Sequence, residues 1–296
     1  MGDVKLKSIM NNIIIFFFKF LILFPVLIFT QNTSKDSLLE IYKKDIKNED
    51  VLIKIGEVYA EEKNWSEAIY YYEKLVEISP NNSDYLYRLG GTQAAYSEVV
   101  SKFRVLPIIN AAKRNLIKSA SIDAEHIYSR WALVQILTEL PNILGGNKTA
   151  ALEYTSEIFN ISKIHGLLSH YYIYNFQNEE ILKKEIERKI FNEIQLNSVL
   201  FEFNYFNFIV GKILANEDTQ QFNLALKYFN KYLSNYSSAD RFSLEEVYYY
   251  LAYCNYNIGN YDSIILLQKS KKIALQSQKK NYNLILKIEE LNKLMN

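Results

Sequence analysis

One cysteine, four prolines and nine glycines are all that the 296 residues hold. The lone Cys254 excludes an internal disulfide. It lies far from the amino terminus, so it cannot be the lipid-carrying cysteine of a lipoprotein, and within an apolar helical stretch it reads as a packed small side chain. So little glycine and proline argues against a turn-rich all-β design and for long helices. With three histidines and no Gly-rich phosphate loop, little is left for metal or nucleotide chemistry. A net charge of +1 lacks the basic surface that coating nucleic acid needs, so no nucleic-acid partner is expected.

Apolar residues, in contrast, are plentiful. Hydrophobic side chains make up 49% of the chain and aromatic ones 15%, enough for a large core. The wealth of Tyr, Asn, Ile and Lys is read as the codon bias of an AT-rich genome rather than as an aromatic binding surface. Residues 1–31 are a different material. Lys5 and Lys7 precede Ile13 to Phe18, then Lys19, then the apolar run Phe20 to Phe29. A positive start before a short apolar core is a secretion signal pattern. The ten residues from Phe20 to Phe29 are short for a membrane span, which needs about 20. A cleaved signal is therefore the first reading and a retained membrane anchor the second. Met10 serves as well as Met1 for the start. Both readings place the remainder outside the cytoplasm, in the periplasm or cell envelope.

A linker and a short leading helix fill residues 32–48, with Leu38, Leu39 and Tyr42 on its apolar side. From Glu49 to Asn82 the chain spells out two helical faces, one on Leu52, Ile55 and Tyr59 and the other on Ala68, Tyr72 and Leu75. Lys63-Asn64 separates them and Pro80 follows the second. Gly56 falls where the two helices come close, with the small Ala68 opposite. Gly90 comes 34 residues after Gly56, and Leu86 and Leu89 repeat the register of Leu52 and Ile55, so the sequence itself shows the period. Ser83 or Asp84 is the expected cap of that third helix. The next helix is expected from about Pro107 to Ala120, after an elongated loop. Another spans Asp123 to Leu140. A Pro141–Asn147 interruption with Gly145 and Gly146 follows, and a helix restarts at Lys148. Residues 161–200 read as a degenerate repeat. The pattern returns at Gly211 and Ala225 and again from Ser243, and a lysine-bearing helix from Tyr282 closes the stack.

The segment 49–82 resembles a tetratricopeptide repeat, carried by Leu52, Gly56, Tyr59, Ala68, Tyr72 and Pro80. It departs from that pattern at Leu52, where Trp is usual, and at Leu75, where Ala is usual. Residues 49–175 further resemble exported bacterial tetratricopeptide proteins of uncharacterised function, through Gly90-Gly91, the connector from Lys102-Phe103 to Pro107, and Pro141 to Gly146 followed by Lys148 and Ala151. The resemblance implies an all-α, right-handed superhelical solenoid of about five or six helix pairs. It also implies repeats over 49–160 and 201–296, export, and no catalytic residue. The structural signature residues are Gly56, Tyr59, Ala68, Tyr72, Pro80, Gly90, Gly145, Gly146, Gly211 and Ala225.

The candidate chemistry is sparse. His165 and His170 are five apart, about 140° round a helix, whereas helical metal pairs want a spacing of four. Glu61-Glu62 and Glu179-Glu180 read as solvated faces, and so do Lys269, Lys271, Lys272, Lys279 and Lys280. No enzyme, cofactor or metal is expected. The leading expectation is a protein–protein scaffold of the envelope whose concave groove holds another protein or peptide. The groove candidates lie off the core register: Lys54, Glu57, Tyr85, Arg88, Gln93, Arg130 and Gln135. The alternative is a carrier of a small molecule or glycan, using an aromatic groove around Tyr248-Tyr249-Tyr250. The membrane enters only through an uncleaved amino-terminal segment.

Overall fold

The computed structural model describes residues 35–237, 240–277 and 279–295. The signal segment and the choice between Met1 and Met10 lie outside them. Fourteen α-helices and one 3-10 turn account for the regular structure of the described residues. The chain divides into two compact units, one ending at Lys183 and the other beginning at Lys184.

The first unit starts with α1 (Lys35–Lys44) and then pairs α2 (Glu49–Glu61) with α3 (Trp65–Ile78), α4 (Ser83–Ser97) with α5 (Lys102–Ile122), and α6 (Ile127–Glu139) with α7 (Lys148–Ile161). It continues into α8 (Lys163–Phe176) and the first turn of α9 (Glu180–Leu196). Each helix packs on the next from α1 to α8, and the first helices α4, α6 and α8 also pack on one another in series. The second unit holds most of α9, then α10 (Asn204–Leu214) with α11 (Phe222–Ser234), α12 (Leu244–Asn257) with α13 (Asp262–Gln276), and the closing α14 (Tyr282–Met295). With α1 leading and α14 closing, five pairs are packed helix on helix, within the expected five or six.

Asparagine side chains start several of the helices. Asn48, Asn82 and Asn147 each accept a hydrogen bond from the backbone N–H three residues on, at 3.1, 3.2 and 3.1 Å. This satisfies one of the donors that a helix start leaves open. The cap of α4 is therefore Asn82, and the expected caps Ser83 and Asp84 fall inside its first turn. Turns repeat too. Lys63, Asn178 and Gly259 all take left-handed backbone angles, at φ 58°, 58° and 74°. In each turn the next residue's N–H returns to a carbonyl five residues back: Asn64 to Tyr59, Glu179 to Tyr174, Asn260 to Asn255. The degenerate stretch 161–200 thus keeps the repeat's turn although it has lost the repeat's residues.

One boundary corrects the sequence reading. The helix expected from Pro107 begins at Lys102, so the elongated loop is absent and Pro107 sits in the second turn of α5. Proline there lacks the N–H that would reach the Phe103 carbonyl. Phe103 is 97% exposed, so water can take up that carbonyl and the helix tolerates the loss. Between α6 and α7 the chain makes a 3-10 turn, Asn142–Leu144, and Gly145 follows at φ 90°. A side chain at Gly146 would collide with the Leu140 carbonyl oxygen.

The core of the first repeat joins Leu38 of α1 to Leu52, Ile55, Ala68, Tyr72 and Leu75. A methyl group on Gly56 would lie 2.4 Å from the Tyr72 ring, and one on Gly211 would lie 2.8 Å from Phe229. In the second unit Phe208 stacks on Phe242 at 3.9 Å and Tyr250 stacks on Phe229 at 5.2 Å. Cys254 is fully buried, and burial pushes its thiol up to about 12.

Alanine normally gains up to about 1 kcal/mol over glycine inside a helix. The buried ring of Tyr72 has nowhere to yield, and overpacking of this kind costs about 1–3 kcal/mol. Gly56→Ala is therefore expected to lower the melting temperature by a few degrees, as is Gly211→Ala. A raised melting temperature in calorimetry for Gly56→Ala would show that the helices do not close on this glycine.

Candidate partner-binding surface

The first helices of successive pairs are tied together by polar side chains. Glu57 of α2 takes a 2.7 Å hydrogen bond from Arg88 of α4, both half-buried. Glu49 of α2 accepts from Ser79 Oγ at 2.6 Å and from the Tyr85 hydroxyl of α4 at 3.1 Å. Burial, reinforced by that bond to Glu49, raises the Tyr85 phenol above its ordinary value. Gln93 of α4 accepts from Asn115 of α5 at 2.9 Å.

Arg130 is the most heavily used of these groups. From α6 it donates to Glu157 of α7 at 2.8 Å, to the Asp123 and His126 carbonyls at 3.1 Å each, and to the Ala120 carbonyl at 2.9 Å. Ala120 lies in the last turn of α5 and Asp123 is its C-cap. A cation at that position meets open carbonyls and the negative end of the helix dipole. Beside it, His126 caps α6: its Nδ1 accepts from Ser129 N at 3.1 Å, leaving Nε2 to donate to Asp84 at 3.1 Å. That bond holds the Asp84 carboxyl below its ordinary range.

The seven residues expected to line a groove thus fall into three groups. Lys54 is exposed. Glu57 and Arg88 pair across the junction of two repeats. Tyr85, Gln93, Arg130 and Gln135 are buried, and the amide of Gln135 has no hydrogen-bond partner among the described residues. Amphipathic reasoning placed these residues outward because it assumed one-sided helices. Helices α4 and α6 are instead buried on almost every side, packed between their own partners and the neighbouring first helices. The small residues Gly90, Gly91, Ala94 and Ala95 on α4 were the available signal of such close packing. The Asp84–His126 contact carried no spacing signal, since its members stand 42 residues apart.

The other candidates are placed as follows. His165 Nδ1 lies 2.8 Å from Ser162 Oγ, and burial lowers its pKa to about 4. His170 Nδ1 lies 3.0 Å from the Gly166 carbonyl oxygen of its own helix and donates to it. Glu62 pairs with Lys35 and Glu179 with Lys148. The Tyr172 hydroxyl donates to the buried carboxylate of Glu139. Among the described residues, no three or more His, Cys, Asp or Glu side chains converge as a metal site would need. In the second unit Tyr250 packs on Phe208 and Phe229, Tyr249 lies along Tyr253, and Tyr248 meets Lys269. The Tyr249 and Tyr250 rings meet edge to face at 5.2 Å, whereas Tyr248 turns to Lys269 of α13.

The tetratricopeptide repeat family model matches residues 49–82. The chain is similar to a solved tetratricopeptide repeat protein from Parabacteroides merdae at 12% identity, over 88% of this chain and 91% of that one, with a TM-score of 0.46. It is also similar to the crystal structure of MamA at 18% identity, over 61% of this chain and 94% of that one, with a TM-score of 0.35. No curated protein matches the chain.

Replacing Arg130 with Met removes three hydrogen bonds to backbone carbonyls, a loss on the order of 3 kcal/mol. The melting temperature is expected to fall by roughly 6–12 °C, with Arg130→Lys in between. A Met variant as stable as the parent in urea titration would refute the capping role. His165 gives a pH signature. Its folded pKa of about 4 lies below the ordinary 6.5, so the unfolded chain holds the extra proton between these values. The stability it contributes is complete above pH 6.5 and drains away as pH falls toward 4, at up to about 1.4 kcal/mol per pH unit. Urea midpoints from pH 7 to pH 4.5 are expected to fall less steeply for His165→Asn. Parallel slopes would mean that His165 titrates normally in the fold.

Proposed function

We propose that this tetratricopeptide-repeat protein is a non-catalytic adaptor of the cell envelope that binds another protein or a peptide through its helical repeats. The observation that carries the reading is the repeat at 49–82, which matches the family model and is built as a closed helix pair, Gly56 against Tyr72. Tetratricopeptide repeats generally mediate protein–protein interaction, and proteins built from them are generally non-catalytic scaffolds. The arrangement of side chains supports a binding role over chemistry: His126 fixes a helix end, Glu139 is held by the Tyr172 hydroxyl and Cys254 is packed in the core. The envelope location rests on residues 1–31, whose lysines precede a short apolar run.

Crosslinking in the cell that makes the protein, with a tag at the carboxyl terminus and mass spectrometry of the captured species, tests this directly. One dominant protein partner in the envelope fraction is the expected result, and the same preparation reports the mature amino terminus. Recovery of the protein alone, with no partner above background, would remove the adaptor reading.

A further inference from the structure

The first unit carries an open cleft of about 440 Å³ apart from the polar ties between first helices. Its floor is α6, through Leu133 and Leu137, four residues apart on one face. One wall is α5, with Asn110, Lys113, Arg114 and Ile117 at the spacing that brings helical residues onto one side. Ala150 and Tyr154 of α7 form the other wall. Helices α5 and α7 are the second members of successive pairs. Each packs closely on α6 and not on the other, which leaves the space between them open.

Charge decides what the cleft can accept. Lys113 and Arg114 make no ion pair among the described residues, in contrast to Arg88, Arg130 and Lys148 nearby. On the opposite side Glu157 is already held by Arg130, and Glu153 is exposed. Ile117 is 47% exposed and Leu106, further along the same face of α5, 43%. A purely apolar occupant would cover two cations without offering them a partner, which is costly. A carboxylate placed beside them on the α5 wall removes that cost and steers encounter. The chain's own amino-terminal segment is the wrong sign for this, with Lys5, Lys7 and Lys19 against Asp3.

We propose that this cleft binds an acidic peptide segment of another protein. One large aliphatic or aromatic side chain of the peptide sits on Leu133, Leu137 and Ile117, and its carboxylates face Lys113 and Arg114. This rests on the protein-binding reading above and names the face and the chemistry of the partner.

The test uses the full-length protein and a fluorescein-labelled peptide, Asp-Glu-Leu-Asp-Phe-Glu-Glu, followed by fluorescence anisotropy. Saturable binding is expected, weakening as salt rises. Two control peptides, one with Lys for every acid and one with Ser for Leu and Phe, are expected to bind at least about tenfold more weakly. The double variant Lys113→Glu, Arg114→Glu is expected to lose a similar factor, as is Ile117→Ser, each with unchanged helix content by circular dichroism. Absence of saturable binding, or equal affinity for the double variant, overturns the cleft. In-cell crosslinking repeated with the double variant separates this site from the general reading. A partner captured as well as by the parent refutes the cleft and leaves the adaptor standing, whereas no partner from either protein defeats the adaptor reading on which the cleft depends.

Discussion

At Gly56 the Tyr72 ring fills the space that a methyl group would need, and the same exchange recurs at Gly211 with Phe229. Everything built on these pairs depends on that approach. Two helices that meet over a ring and a bare Cα lie close enough for Ala68 and Ala225 to be wholly buried between them. Interiors packed at this density resist a single added carbon. The pair then behaves as a rigid unit, and its outer faces are set in fixed positions for the neighbours to use.

Beside the apolar core that runs on into the neighbours, polar groups tie them together. Glu57 with Arg88, Glu49 with Tyr85, Asp84 with His126 and Gln93 with Asn115 all join helices across a pair or between pairs. These side chains sit where a one-helix view would have them facing water. Most of them carry polar groups into half-buried places, and each finds an opposite charge or a hydrogen-bond partner there, as buried polar groups must. Some of the charges left over lie on second helices. Lys113 and Arg114 on α5 belong to this remainder, and so do the exposed Lys269, Lys271 and Lys272 on α13.

The repeat was legible because its residues act locally. A glycine, a ring and a small residue at fixed spacing specify two helices and their contact, whatever the rest of the chain does. The Pro141–Asn147 interruption and the return of the pattern at Gly211 could be read on the same grounds. The start of α5 could not, since a proline in a second turn is read as a first-turn residue unless one knows that solvent reaches the carbonyl it frees. The surface was less legible still. Tyr85, Arg130 and Gln135 are polar residues on first helices, and a single sequence does not record that neighbouring first helices close over them. The turn at Asn178 shows the reverse case: three hydrogen bonds preserve a backbone shape after the sequence pattern has gone.

In a stack of repeats each unit feels only its nearest neighbours, and stability is close to a sum of unit and interface contributions. Arg130 concentrates one of those interfaces in a single side chain. It closes the end of α5, reaches the start of its own helix and pairs with α7, so the second and third helix pairs share one set of hydrogen bonds. Opening the third pair takes the Arg130 hydrogen bonds away from the end of the second. Fraying that enters from either side therefore meets a step here and not a gradual slope. Amide protons in α5 and α6 will report the same opening free energy, so that two adjacent repeats exchange as one cooperative block.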